Sequence, residues 1–188
     1  AQVQAVLKKL AGVELRAICP LHGPVLEENL GYYVDLYDKW SSYTPEDKGT
    51  LIAYAGVYGN TRAAALALAE ELRRRGEKVS VMDLARSDMA EAVEDAFRYD
   101  KIVFASVTYD ASLFPAMEDL LYHLKIKAWR GRKAGLIENG SWAPSSAKLM
   151  RAYLEGMKDI EIVAPEVTIR TAMKPADEEA MAAMADAL

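Results

Sequence analysis

Residues 50–61 read Thr-Leu-Ile-Ala-Tyr-Ala-Gly-Val-Tyr-Gly-Asn-Thr. The uncharged run at 50–55 is short and continuous, so it describes a strand buried on both faces rather than a half-exposed one. Gly56 and Gly59 interrupt it, and an Ala/Leu-rich stretch free of Gly and Pro follows at 62–75, stopped by Gly76. That stretch predicts a helix whose basic last turn suits its dipole. The same alternation runs on. Strands are expected at 78–82 (KVSVM), 101–107 (KIVFASV) and 133–137, and an interrupted one at 160–163 and 167–169, broken by Pro165. Helices are expected at 87–96 with Ser87 as N-cap, at 113–126, at 145–154 and at 176–188, where Met181, Met184 and Leu188 share one face.

Five strands, each followed by a helix, imply an α/β fold: a doubly wound five-stranded parallel sheet with helices on both faces. The order expected for such a sheet is 2-1-3-4-5, with the ligand beyond the carboxyl ends of the strands where the order reverses. The chemistry then lies in the loops after strands 1, 3 and 4.

Composition narrows the function classes. The chain has 188 residues, 23 Lys+Arg against 28 Asp+Glu, a formal charge of −5 and 52% hydrophobic residues, which excludes a disordered chain and gives no basic footprint for nucleic acid. A single Cys excludes an internal disulfide framework, and no apolar run reaches the ~20 residues of a membrane span. The length suits one domain with an appendage. A polar stretch at 41–49, with Pro45 and Gly49, reads as a linker. Upstream, a helix is expected at 3–10, a strand ending in buried Cys19 at 14–19, and a helix at 31–40. That is too little to build a core of its own.

The loop after strand 1, Gly56-Val57-Tyr58-Gly59-Asn60-Thr61, opens directly into a helix. Backbone N–H groups at a helix start, exposed by small residues, suit a phosphate. No lysine follows in the Gly-Lys-Ser/Thr manner, so this is no NTPase loop. Its neutral donors suit a terminal phosphate monoester held without a counter-ion. After strand 3 come Val107, Thr108, Tyr109 and Asp110; after strand 4 come Asn139, Gly140, Ser141 and Trp142. Each loop taken alone is equally compatible with helix capping or packing. Together they describe a site for a planar ring with a phosphate tail, and FMN fits that description.

The phrases YAGVYGNT (54–61), VTYDASLFPAMEDLL (107–121), IENGSWAP (137–144), CPLHGP (19–24) and YDKWSSY (37–43) resemble the flavodiiron proteins, or A-type flavoproteins, in their C-terminal flavodoxin-like part. The resemblance implies that Val57, Tyr58, Gly59, Asn60 and Thr61 hold the FMN phosphate. It also implies that Val107, Thr108, Tyr109, Asp110, Asn139, Gly140, Ser141 and Trp142 lie at the isoalloxazine. Two positions depart from the pattern. Gly56 stands where the phosphate loop usually opens with Ser or Thr, which removes a hydroxyl donor. Asp110 stands where Asn is common, and a carboxylate beside a reduced flavin lowers its potential.

In that family a His-Gly-Pro phrase carries the last histidine ligand of a di-iron site. The resemblance therefore implies that His22 is that ligand in a longer parent chain and that residues 1–45 are the tail of a metallo-β-lactamase-like domain plus linker. Residues 46–188 then form the FMN domain, and Ala1 is a cut end. The further ligands are missing from this chain, which leaves it no catalytic residues of its own and only electron transfer through FMN. The resemblance also implies a cytoplasmic flavoprotein, a head-to-tail dimer, a rubredoxin-type or other electron donor, and O2 or NO as the parent's final acceptor. A stand-alone flavodoxin or FMN-dependent quinone reductase is a rival reading, against which residues 1–45 argue. A flavin-less interaction module of the same fold is another. A receiver domain needs an acidic pair after strand 1, and Gly-Val-Tyr-Gly stands there.

Overall fold

A computed structural model describes residues 2–188. The chain divides into two compact units, Ala1–Glu46 and Asp47–Leu188.

The first unit holds helices α1 (Gln2–Leu10) and α2 (Leu30–Ser42), neither of which buries a residue. Gln4 ties them, donating from Nε2 to Asp38 Oδ1 at 2.7 Å and to Ser41 Oγ at 2.9 Å. The strand expected at 14–19 is absent. Only an isolated antiparallel bridge forms, Ile18 to Leu26. With no second strand to extend it, Cys19 is exposed rather than buried.

The second unit is built around β1 (Asp47–Ala55), β2 (Val79–Asp83), β3 (Tyr99–Tyr109), β4 (Ser112–Leu113), β5 (Arg132–Asn139), β6 (Ile160–Ile162) and β7 (Val167–Ile169). Its helices are α3 (Asn60–Arg74), α4 (Met89–Arg98), α5 (Pro115–Ile126), α6 (Ser146–Glu155) and α7 (Pro175–Ala187). The sheet order is β2-β1-β3-β5-β6, with all these pairs parallel. Setting aside the short β4, which turns back antiparallel on β3, this is the expected 2-1-3-4-5. The fifth strand is interrupted as expected: β6 pairs with the start of β5 at Arg132–Ala134 and β7 with its end at Ile137–Asn139.

The continuous apolar strands are explained by two cores, one on each face. Leu51, Ala53, Ala55, Phe104 and Leu136 face α4, α5 and α6, whereas Ile52, Tyr54, Val103, Ala105 and Ile137 face α3 and α7. Alternate residues of each strand thus enter opposite cores, as the two-residue period demands. Met181 and Met184 fill the second core, as the helix-face spacing predicts.

Two local expectations are corrected. Asp88, not Ser87, caps α4: its Oδ1 accepts from Ala90 N at 2.8 Å. The stretch read as a linker ends inside β1, whose first residues are Asp47, Lys48 and Gly49, and at this starting end of the sheet Gly49 N donates to Asp100 Oδ1 at 2.8 Å. At that end of the sheet Arg132 is buried and gives its guanidinium to the carbonyls of Tyr99, Phe97, Arg130 and Gly131. Burial pulls its pKa down to about 10, which leaves it a cation at neutral pH.

Candidate functional site

Three loops leave the carboxyl ends of β1, β3 and β5 and meet in one cleft of about 540 Å³, within the range of small-molecule sites. Its lining includes Val57, Tyr58, Asn60 and Thr61 from the first loop, and Val107, Thr108, Tyr109 and Asp110 from the second. Asn139, Gly140, Ser141 and Trp142 line it from the third.

The first loop ends at Gly59, the N-cap of α3, held at φ 86°. That left-handed value favours glycine and turns the chain into the helix within one residue. The first turn of α3 leaves its N–H groups without intrahelical partners and pointing outward. Thr61 is buried at this turn. Gly59 itself does not line this cleft but a neighbouring cavity, with Gly56, Tyr54 and Arg62.

The second loop is a tight hairpin. Thr108 pairs with Leu113 and Tyr109 with Ser112, leaving Asp110 and Ala111 as a two-residue turn at φ 47° and 57°. Positive φ at both central positions is what a two-residue hairpin of this twist requires. Tyr109 packs edge-on against Phe114, with ring centroids 5.6 Å apart. The Thr108 side chain also caps α6, because its Oγ1 accepts from Ser145 N at 2.9 Å and from Ser146 N at 3.2 Å. Both contacts use its oxygen, so its hydroxyl proton remains free to donate into the cleft.

The third loop is anchored at both ends. Asn139 is buried, and its Nδ2 donates to the Thr171 carbonyl at 2.9 Å. Glu138, also buried, accepts from Ala147 N at 2.9 Å and from Thr168 Oγ1 at 2.8 Å, joining β5 to α6 and β7. Arg170 donates to the Trp142 carbonyl at 3.2 Å. The Trp142 side chain is left 92% exposed, as is Tyr58 on the facing loop. Two large rings held open to water at one cleft leave apolar surface that a bound ligand can cover.

The donor set fits a flavin phosphate: backbone N–H groups at the start of a helix, Thr61, and Asn60. A Cβ on Gly59 would meet nothing within 4 Å, so the space beside that residue is open. Ala111, Ala143 and Thr171 also line the cleft, beyond the residues that the sequence marks. Ala111 and Ala143 adjoin predicted residues. Thr171 comes from the tail of β7, and no motif marks it.

His22 and Cys19 are both exposed, and among the described residues no group of three or more His, Cys, Asp or Glu is arranged to hold a metal. A di-iron centre does not fit the residues present. No helix among the described residues is long and apolar enough to cross a membrane.

The flavodoxin domain family matches residues 51–171. The anaerobic nitric oxide reductase flavorubredoxin of Escherichia coli is 26% identical over 140 residues, covering 73% of this chain and 29% of that protein. A diflavin flavoprotein A 4 of Nostoc sp. is 26% identical over 178 residues, covering 94% and 30%. Among solved structures, the rubredoxin oxygen:oxidoreductase of Desulfovibrio gigas superposes with a TM-score of 0.88 at 22% identity, over 99% of this chain and 47% of that one. The flavodiiron protein of Giardia intestinalis does so with a TM-score of 0.85, also at 22% identity, over 99% and 46%. The chain thus spans less than a third of these curated relatives and under half of these solved structures.

Proposed function

The chain belongs to the flavodoxin domain family, and from that premise we propose that it binds FMN in the three-loop cleft and passes electrons as the flavin domain of a flavodiiron-type oxidoreductase. The observation that carries this reading is the convergence of the loops after β1, β3 and β5 on one cleft with two exposed rings at its mouth. When bound, FMN supplies one- and two-electron chemistry, and the protein supplies position and electrostatics.

In this reading Val57, Tyr58, Gly59, Asn60 and Thr61 hold the phosphate. Thr108 donates its hydroxyl proton, Tyr109 and Trp142 cover the ring, and Val107, Asp110, Asn139, Gly140 and Ser141 complete its surroundings. Glu138 and Arg170 keep the third loop in place from behind.

The likeness to flavodiiron proteins supports a wider proposal. Residues 1–45 are the end of a metal-binding domain, in which His22 is a di-iron ligand, and residues 46–188 are the flavin domain. In a longer parent, a rubredoxin-type or related donor would feed the flavin, and a head-to-tail dimer would bring it to the metals of the second copy. O2 or NO would be the final acceptor.

The test is reconstitution. The purified chain is mixed with FMN and passed through a gel-filtration column. Co-elution of flavin absorbance with protein, about one FMN per chain and quenched in fluorescence, supports the reading; flavin emerging wholly apart from the protein overturns it.

A further inference from the structure

The three-loop cleft has a fourth contributor. Thr171, two residues past β7, lines it together with Asn139, Gly140 and Trp142. Three successive residues fasten this segment to the third loop. The Ile169 carbonyl accepts from Gly140 N at 3.1 Å, Arg170 donates to the Trp142 carbonyl at 3.2 Å, and the Thr171 carbonyl accepts from Asn139 Nδ2 at 2.9 Å. Each tie ends on a residue that itself lines the cleft.

Two properties set Thr171 apart. Its φ is 69°, and among the described non-glycine residues with positive φ it alone is β-branched. A branched Cβ makes that backbone costly, so it persists only where neighbours hold it, and such outliers gather at ligand sites. The Asn139 amide on its carbonyl is one such hold. The second property is an uncommitted hydroxyl. The chain has six threonines. The hydroxyls of Thr44, Thr50, Thr108 and Thr168 are hydrogen-bonded to other groups of the protein. Among the described residues those of Thr61 and Thr171 are not, and these two both line the cleft. Thr61 lies at the start of α3, and Thr171 is fastened to the third loop.

We propose that Thr171 is a fourth contact of the ligand, its hydroxyl held by a strained backbone to hydrogen-bond the polar edge of the planar ring. This rests on the flavin reading above. Two consequences follow. The contact belongs to the ring and not to the phosphate, so FMN and riboflavin, which lacks the phosphate, share it equally. Relieving the strain also opposes binding, because the backbone that costs stability is the one that presents the hydroxyl.

The experiment titrates FMN and riboflavin into the wild-type protein and into Thr171→Val, Thr171→Ser and Thr171→Gly, and measures the urea midpoint of each without flavin. Thr171→Val keeps the branched shape and removes the hydroxyl. It is expected to weaken both flavins roughly two- to tenfold, the scale of one neutral hydrogen bond, at a urea midpoint close to that of wild type. Thr171→Ser keeps the hydroxyl and should bind both flavins as wild type does. Thr171→Gly should raise the urea midpoint, because glycine adopts this φ without strain, and yet weaken both flavins. A residue with a purely structural role would not lower affinity while stability rises. Wild-type affinity in Thr171→Val overturns the proposal, as does a loss confined to FMN or a loss in Thr171→Ser equal to that in Thr171→Val. In those outcomes the wild type still binds flavin, so the flavin reading stands and this inference alone falls. A wild type that binds neither flavin overturns both.

Discussion

A Cβ built on Gly56 would lie 2.9 Å from the Cβ of Thr61 and 3.0 Å from its Oγ1. The Thr61 side chain therefore fills the space into which a side chain at position 56 would grow. The missing Ser or Thr at position 56 is compensated in volume from five residues downstream, and the two positions are alternatives rather than partners. Substituting Gly56→Ser to restore the hydroxyl should therefore fail. Overpacking costs about 1–3 kcal/mol, read from the urea midpoint, and FMN should bind more weakly because Thr61 is displaced. A serine variant that gains both stability and affinity would contradict this account of the loop.

Thr108 links the second loop to the third. Thr108→Val keeps the shape and removes the oxygen that accepts from Ser145 N and Ser146 N. A lost helix cap costs about 0.5–2 kcal/mol. Hydrogen exchange at those two amides should speed up beyond the global change, since α6 starts directly after the Trp142 loop.

The hairpin turn separates two effects at neighbouring positions. Ala111 has a Cβ at φ 57°, a strain that glycine relieves, so Ala111→Gly should raise stability by a few tenths to about 1 kcal/mol. Asp110→Asn removes a negative charge from the cleft wall. It should raise the reduction potential of bound FMN by on the order of tens of millivolts in an equilibrium redox titration. An unchanged potential would place the carboxylate away from the ring.

Tyr54 makes a pH prediction. Burial, followed by the Asp83 charge and hydrogen bond, holds its phenol above the ordinary 10.0, while Arg62 pulls the other way. The unfolded chain thus releases this proton first as the pH rises. The stability Tyr54 contributes is whole at neutral pH and is lost as the pH climbs past 10 through the raised value. Tyr54→Phe should flatten that alkaline loss. Followed by carbon NMR of labelled tyrosine, Asp83→Asn should bring the Tyr54 titration down and Arg62→Met should move it up.

What was legible in the sequence follows from period and punctuation. TLIAYA and KIVFASV are continuous because their residues enter two cores in alternation, and that continuity identifies a buried parallel strand without any contact being known. The same reasoning failed for residues 14–19, where a strand-like composition finds no neighbour to pair with beyond one bridge. At α4 the choice between adjacent Ser87 and Asp88 turned on backbone geometry that composition does not carry. In the cleft, the loop residues were readable because glycine and aromatic residues stand at the ends of strands. Thr171 was not, because it is brought in by the pairing of β7 with β5 and by the Asn139 amide.

The central claim is that three loops, separated in sequence, form one FMN site. Backbone amide resonances followed during FMN titration test it most directly. The account predicts saturable shifts at about one equivalent, covering the start of α3 (Gly59 to Thr61), the hairpin turn (Tyr109 to Ala111) and the loop after β5 (Asn139 to Trp142). Shifts that miss any of the three loops, or no shifts at saturating FMN, would contradict it.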